Sequence, residues 1–102
     1  EFRRVLFRSA DADKAFIGVG GISAQGGITT SVLPETAVNE TMLRRCQGQR
    51  YVLAATSKIG REHNFHSADL SMVDCLITCE GGKESKIAAI KNSGVEVVEL
   101  HI

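Results

Sequence analysis

Two hydroxyls, an ammonium and a guanidinium fall within the six residues Thr56-Ser57-Lys58-Ile59-Gly60-Arg61. Such a group suits an anion, above all phosphate or carboxylate, because Lys and Arg make charge-assisted hydrogen bonds to both. A solvated basic turn would have the same composition. A second polar stretch lies upstream. Gly20-Gly21 and Gly26-Gly27 bracket a short segment, and Thr29-Thr30-Ser31 add hydroxyls just after it. Gly20 and Gly21 let the backbone come close to a ligand; an ordinary tight connection would use them equally well. Neither stretch is a nucleotide motif. Gly18-x-Gly20 runs into Ile22-Ser23 with no helix opening at once, and no Gly-x4-Gly-Lys-Ser/Thr is present.

Both stretches follow apolar runs, and those runs set their position. Residues 14–19 read as a buried strand opening into the first glycine pair. Residues 50–55 (Arg-Tyr-Val-Leu-Ala-Ala) read as a strand buried on both faces, ending at Thr56. Residues 73–78 and 95–100 are further strands, and Glu96 and Glu99 mark the last as a solvent-exposed edge. Pro34 and Glu35 open a helix. Its spacing turns Val38, Met42 and Cys46 inward with Arg45 at the margin, and Gly48 is its stop. Residues 83–93 form a second helix with Ile87, Ala88 and Ile90 inward, ended by Gly94. Between the middle strands, Phe65 anchors a loop, and Ser67 or Asp69 caps a short turn through Met72. Helices alternating with strands predict an α/β fold with a parallel sheet and right-handed crossovers. In such sheets ligands bind outside the carboxyl ends of the strands, where both polar stretches lie.

Composition narrows the function. At 43% hydrophobic and 24% charged the chain reads as a soluble globular protein, and it has no Trp with which to stack nucleobases. Its 12 basic and 12 acidic side chains cancel, so bulk charge does not draw it to DNA. No apolar run reaches the ~20 residues that span a bilayer. Cys46, Cys75 and Cys79 are an odd, scattered set, which fits reduced cytoplasmic thiols. The last two fall about 13 Å apart on one strand, too far to share a disulfide or a metal. His63-x2-His66 lacks a third ligand at a convincing spacing, so no metal and no cofactor is expected.

Phe16-Ile-Gly-x-x-Gly-Ile, Gly27-Ile-Thr-Thr, Glu35 and Met42, Ser57-Lys-x-Gly-Arg61 and Leu76-Ile-Thr78 occur in that order. The chain from about residue 13 to 98 thereby resembles the C-terminal sensor domain of DeoR-family transcriptional regulators. The resemblance implies a fold like that of sugar-phosphate isomerases and an effector that is a phosphorylated sugar. It also implies a cytoplasmic homo-oligomer whose DNA contacts belong to a separate N-terminal helix-turn-helix domain. On it, the effector-binding residues would be Gly20, Gly21, Thr29, Thr30, Thr56, Ser57, Lys58 and Arg61. Three positions depart from the family pattern: Gly20, Ala55 and Cys79 stand where Asp is common. The alternatives are a fragment of a sugar-phosphate isomerase-like enzyme, or an α/β domain used only for oligomerisation. An isomerase needs a base beside the substrate carbon, and Glu35 is the one acid expected near the polar stretches.

Residues 1–9 (Glu-Phe-Arg-Arg-Val-Leu-Phe-Arg-Ser) resemble a common sequencing-library adapter read as protein, and are expected to be non-native. A basic arm would look similar. Without them nine basic and eleven acidic groups remain. Residues 10–102 would then be the C-terminal part of a sensor domain, truncated at its N-terminus and lacking the DNA-binding domain.

Overall fold

The computed structural model describes residues 14–101, so the expectations for residues 1–9 lie outside the described residues. Four parallel strands form one sheet: β1 (Lys14–Gly18), β4 (Gln49–Leu53), β6 (Cys75–Cys79) and β7 (Glu96–Leu100), in the order β1-β4-β6-β7. Three short antiparallel strands form a second: β2 (Gly21–Ser23), β3 (Gly27–Thr30) and β5 (Phe65–Ala68), in the order β2-β3-β5. Helix α1 (Leu33–Arg45) lies between β3 and β4, and α2 (Glu84–Asn92) between β6 and β7. The α/β class, the four parallel strands and both helices are as the sequence predicts.

Every connection between the parallel strands steps in the same direction across the sheet. Right-handed crossovers in one direction place their helices on one face, and the core shows which face that is. In a parallel pair, residues in register share a face, so Ile17, Val52, Leu76 and Val97 form one row. The first three are buried with Leu43 of α1 and Ile87 and Ile90 of α2. Ile22 of β2 and Ile28 of β3, directly paired, close the same core from the antiparallel sheet. Asp74 braces the start of the sheet: its Oδ2 accepts from the Arg50 backbone N–H at 2.8 Å and from Nε at 3.3 Å.

The second sheet was not expected. Residues 20–31 read as a loop, yet they fold into the hairpin β2-β3. Gly27 lets it turn: its φ of +69° is left-handed, and a Cβ there would lie 2.3 Å from the Ala68 carbonyl oxygen of β5. The inward face of α1 is also corrected. Asn39 and Leu43 are its buried residues, Met42 is half-buried, Cys46 is the C-cap and Val38 is 50% exposed. The cause is the surface beneath: α1 packs chiefly on β5 and β3, which present Thr30 and Ser67 as well as apolar groups. Val38→Ala is therefore expected to change the stability read from a urea transition by no more than about 0.5 kcal/mol. A loss of several times that would put Val38 back in the core.

Four smaller expectations change. Gly48 does not stop α1, which ends at Arg45. Ala88 faces outward. Neither Ser67 nor Asp69 caps the 3-10 turn Leu70–Met72 through its side chain; Asp69 precedes that turn and accepts from His66 Nε2 at 3.0 Å. Strand β4 is shorter than residues 50–55 and is not buried on both faces throughout: among the described residues Val52 is buried, Tyr51 is half-buried on the Phe16 ring and Leu53 is exposed. Gly94 ends α2 with φ +94° as expected, and β7 is an edge paired only with β6 among the described residues.

All three cysteines are free. Cys75 is buried on β6, and burial first, then the carboxylates of Glu96 and Asp74, pushes its thiol above the ordinary value of 9.0. The folded state thus holds the neutral thiol while the unfolded chain ionises it at lower pH. The linked stability is complete below that ordinary value and falls as pH rises through the folded value. In urea titrations between neutral and alkaline pH, Cys75→Ala is expected to lose stability less steeply than wild type above that point. Parallel profiles would show that Cys75 does not carry the linkage.

Candidate functional site

The carboxyl ends of β1 and β4 bring the two polar stretches together. Strand β1 runs through Val19 into Gly20-Gly21 and directly into β2. Strand β4 runs through Ala54-Ala55 into a 3-10 turn, Thr56–Lys58. The turn is closed by Lys58 N–H donating to the Ala55 carbonyl at 2.9 Å and Ile59 N–H to Thr56 at 3.2 Å. Past the turn, Ile59 forms a parallel bridge with Ile22, and Gly60 N–H donates to the Ile22 carbonyl at 2.7 Å. The cationic turn is thus stitched to the glycine loop by backbone alone.

Side chains and close packing complete the junction. Gly21 sits against the Arg61 backbone so tightly that a Cβ would lie 2.3 Å from the Arg61 carbonyl oxygen. His63 N–H donates to Thr29 Oγ1 at 2.9 Å. His63 Nε2 lies 2.9 Å from the Gly20 carbonyl oxygen, which can only accept, so Nε2 carries the proton. Thr30 Oγ1 donates to Glu35 Oε1 at 3.1 Å and accepts from Val32 N–H at 3.1 Å, tying β3 to the first turn of α1.

The candidate residues therefore divide. Gly20, Gly21, Thr29 and the Arg61 backbone meet at the junction. Thr29 and Thr30 are buried and their hydroxyls already have protein partners, so they shape the loop. Thr56 and Lys58 are half-buried, and Ser57 and Arg61 are exposed, on the outward side of the turn. At the end of β6, Thr78 is 2% exposed and its hydroxyl has no partner.

Sequence reasoning missed two residues. It weighed His63 only as a metal ligand, whereas its ring holds Gly20 and its backbone holds Thr29. His66 is occupied with Asp69, and among the described residues no three His, Cys, Asp or Glu side chains are grouped to hold a metal. Lys86 of α2 is the other: its aliphatic stem lies over Gly60, where a Cβ would meet Cδ at 2.9 Å. Ser23, Gln25, Gly60, Ser85 and Lys86 line a groove of about 210 Å³ there. No local signal marks either residue, because both arrive through tertiary contacts.

Chemically, the site offers cations, hydroxyls and backbone N–H groups. It places no carboxylate at the ends of β1, β4 or β6, where Gly20, Ala55 and Cys79 stand. Contrary to the expectation for Glu35 alone, two acids reach the junction and both are engaged: Glu62 Oε2 accepts from Ser23 Oγ at 3.2 Å, and Glu35 Oε1 from Thr30 Oγ1.

A profile of the DeoR C terminal sensor domain matches residues 2–80, beginning inside the segment read as adapter-like. The chain is also 33% identical over 90 residues to the HTH-type transcriptional repressor GlcR of Bacillus subtilis (strain 168). The matched stretch is 88% of this chain and 34% of that repressor, so the chain spans about a third of its relative's length. Among the described residues no helix is long and apolar enough to cross a membrane. With a parallel α/β sheet, a glycine loop and a cationic turn joined at its strand ends, and a match over most of its length, this chain belongs to the DeoR C-terminal sensor domain family.

Proposed function

We propose that the chain is the effector-sensing part of a cytoplasmic transcriptional repressor, that its effector is a phosphorylated sugar, and that effector binding controls DNA binding by a separate N-terminal domain. The observation that carries this reading is the Gly60–Ile22 hydrogen bond. It fixes a turn bearing Thr56, Ser57, Lys58 and Arg61 against Gly20-Gly21, at the carboxyl ends of parallel strands. A ligand with one phosphate and several hydroxyls matches that donor set: the cations take the phosphate and the hydroxyls exchange hydrogen bonds with the sugar. The relative is by its name a helix-turn-helix repressor, and the near-neutral charge of this chain leaves DNA contacts to another part of the protein.

On this reading the chain senses and does not turn over its ligand. Enolisation of a sugar phosphate requires a base at the reacting carbon; Gly20, Ala55 and Cys79 supply none, and the carboxylates of Glu62 and Glu35 are held by Ser23 and Thr30. Residues 10–102 are then the later part of the sensor domain of a longer homo-oligomeric protein. Binding would shift that protein between operator-bound and released states.

Calorimetric titration of the full-length protein tests the ligand class. A phosphorylated sugar from a small panel is expected to bind, and its unphosphorylated counterpart to bind at least tenfold more weakly. Equal affinity for both would overturn the phosphate reading. Conversion of a bound sugar phosphate to an isomer would overturn the sensor reading.

A further inference from the structure

We propose that His63 is a specificity-determining residue of the effector site: its Nε2–H holds the glycine loop while its Nδ1 accepts a hydrogen bond from a hydroxyl of the sugar. The inference deepens the sensor reading and rests on it. Gly20 and the imidazole share one corner of the junction. A Cβ at Gly20 would lie 3.1 Å from His63 Cδ2, so the ring takes the space into which a side chain just past the end of β1 would project. Nε2, which neighbours Cδ2 in the ring, lies 2.9 Å from the Gly20 carbonyl oxygen and donates to it. The Cδ2–Nε2 edge therefore faces the glycine loop. Nδ1 is the ring atom opposite that edge, so it points away from the loop. Backbone bonds hold the ring in this place: His63 N–H donates to Thr29 Oγ1 at 2.9 Å, and Gly60 N–H to the Ile22 carbonyl at 2.7 Å.

Hydrogen-bond chemistry gives Nδ1 its role. A neutral imidazole has one N–H and one lone pair, and the bond made by one nitrogen decides the state of the other. With the proton on Nε2, Nδ1 is an acceptor. Among the described residues no group is bonded to it, and His63 is half-buried rather than sealed in the core. Free acceptors are what the rest of the junction lacks. Lys58 and Arg61 can only donate. The carboxylates of Glu35 and Glu62 already accept from Thr30 and Ser23, and Thr29 Oγ1 already accepts from His63. Donors alone satisfy a phosphate. A sugar hydroxyl withdrawn from water must also give its hydrogen to an acceptor, or that bond is lost. Nδ1 supplies the acceptor at the junction that carries the cations.

Calorimetric titration of the full-length protein with ribose 5-phosphate, glucose 6-phosphate and inorganic phosphate tests it, for wild type and His63→Gln. The glutamine amide nitrogen can replace Nε2 at Gly20 and puts nothing at Nδ1. The sugar phosphate that binds wild type is expected to bind His63→Gln about five- to tenfold more weakly, the loss of one hydrogen bond. Inorganic phosphate, held by the cations, is expected to bind both alike. One singly deoxygenated analogue of that sugar phosphate is expected to bind wild type and variant equally, because it lacks the hydroxyl that Nδ1 reads. Equal loss for inorganic phosphate would overturn the proposal by showing that His63 only braces the junction. Unchanged sugar-phosphate affinity in His63→Gln would overturn it while leaving the sensor reading in place. Failure of both sugar phosphates to bind wild type would overturn it together with that reading. If His63→Gln fails to fold, wild type carries the test: the ¹⁵N resonance of His63 Nδ1 is expected to shift with the sugar phosphate and not with inorganic phosphate, and an unmoved resonance would overturn the proposal.

Discussion

Alanine at Gly21 is expected to destabilise the protein by about 1–3 kcal/mol, the usual cost of forcing extra atoms into a packed site, and to abolish effector binding with it. The added Cβ would lie 2.3 Å from the Arg61 carbonyl oxygen and 3.0 Å from Thr29 Oγ1. Neither neighbour is free to retreat. The Arg61 carbonyl sits between Gly60, whose N–H is bonded to Ile22, and His63, whose N–H is bonded to Thr29. Relief requires the turn of residues 56–61 to part from the β2-β3 hairpin, and that junction is the candidate site. The cost is steric, because Gly21 is not among the left-handed glycines. Gly81→Ala separates the two causes. Gly81 has φ +100°, and nothing lies within 4 Å of the place its Cβ would take. Its replacement therefore strains only the backbone, by roughly 1–2 kcal/mol, and leaves the site intact. Urea transitions and effector titration of both full-length variants check this. A Gly21→Ala protein with wild-type affinity would show that the two segments do not need to touch.

The parts of the fold that were legible in the sequence are those whose apolar runs are long. The four parallel strands stand out because each has consecutive β-branched or aliphatic residues, and α2 because Ile87, Ile90 and Gly94 mark its face and its end. The hairpin β2-β3 was not legible. Its strands are three and four residues long and flanked by glycines, and Ile22 and Ile28 declare themselves only when paired. The error on α1 has a related cause. Val38 and Met42 offer as good a helical stripe as Asn39 and Leu43, and the choice depends on an antiparallel sheet that was itself unseen. Strand β4 misled in another way: Tyr51 and Leu53 are apolar as a doubly buried strand requires, yet among the described residues Tyr51 is only half-buried against Phe16 and Leu53 is exposed. At the site, residue type alone found the cationic turn. His63 and Lys86 reach it from other elements, through contacts that no local spacing encodes.

Lys58→Met in the full-length protein is expected to weaken effector binding tenfold to a hundredfold while leaving operator binding in place. Lys58 ends the 3-10 turn after β4, where it is half-buried beside two hydroxyl residues. Among the described residues no carboxylate is paired with it, so its charge is not already spent on the fold. An ammonium donating to a phosphate makes a charge-assisted hydrogen bond worth roughly 1.5–3 kcal/mol. Each 1.4 kcal/mol is about a factor of ten in affinity, which sets the expected range. Methionine keeps the apolar stem and removes the charge, so packing around the turn should persist and stability change by no more than about 0.5 kcal/mol. Operator release is then measured against effector concentration for wild type and variant at one salt concentration, because salt alone shifts protein–DNA affinity. The midpoint should move up by that factor with the starting affinity for operator unchanged. An unmoved midpoint would remove Lys58 from the site. Weak operator binding before any effector is added would instead give Lys58 a structural role, since an effector contact has no means of altering the unliganded repressor.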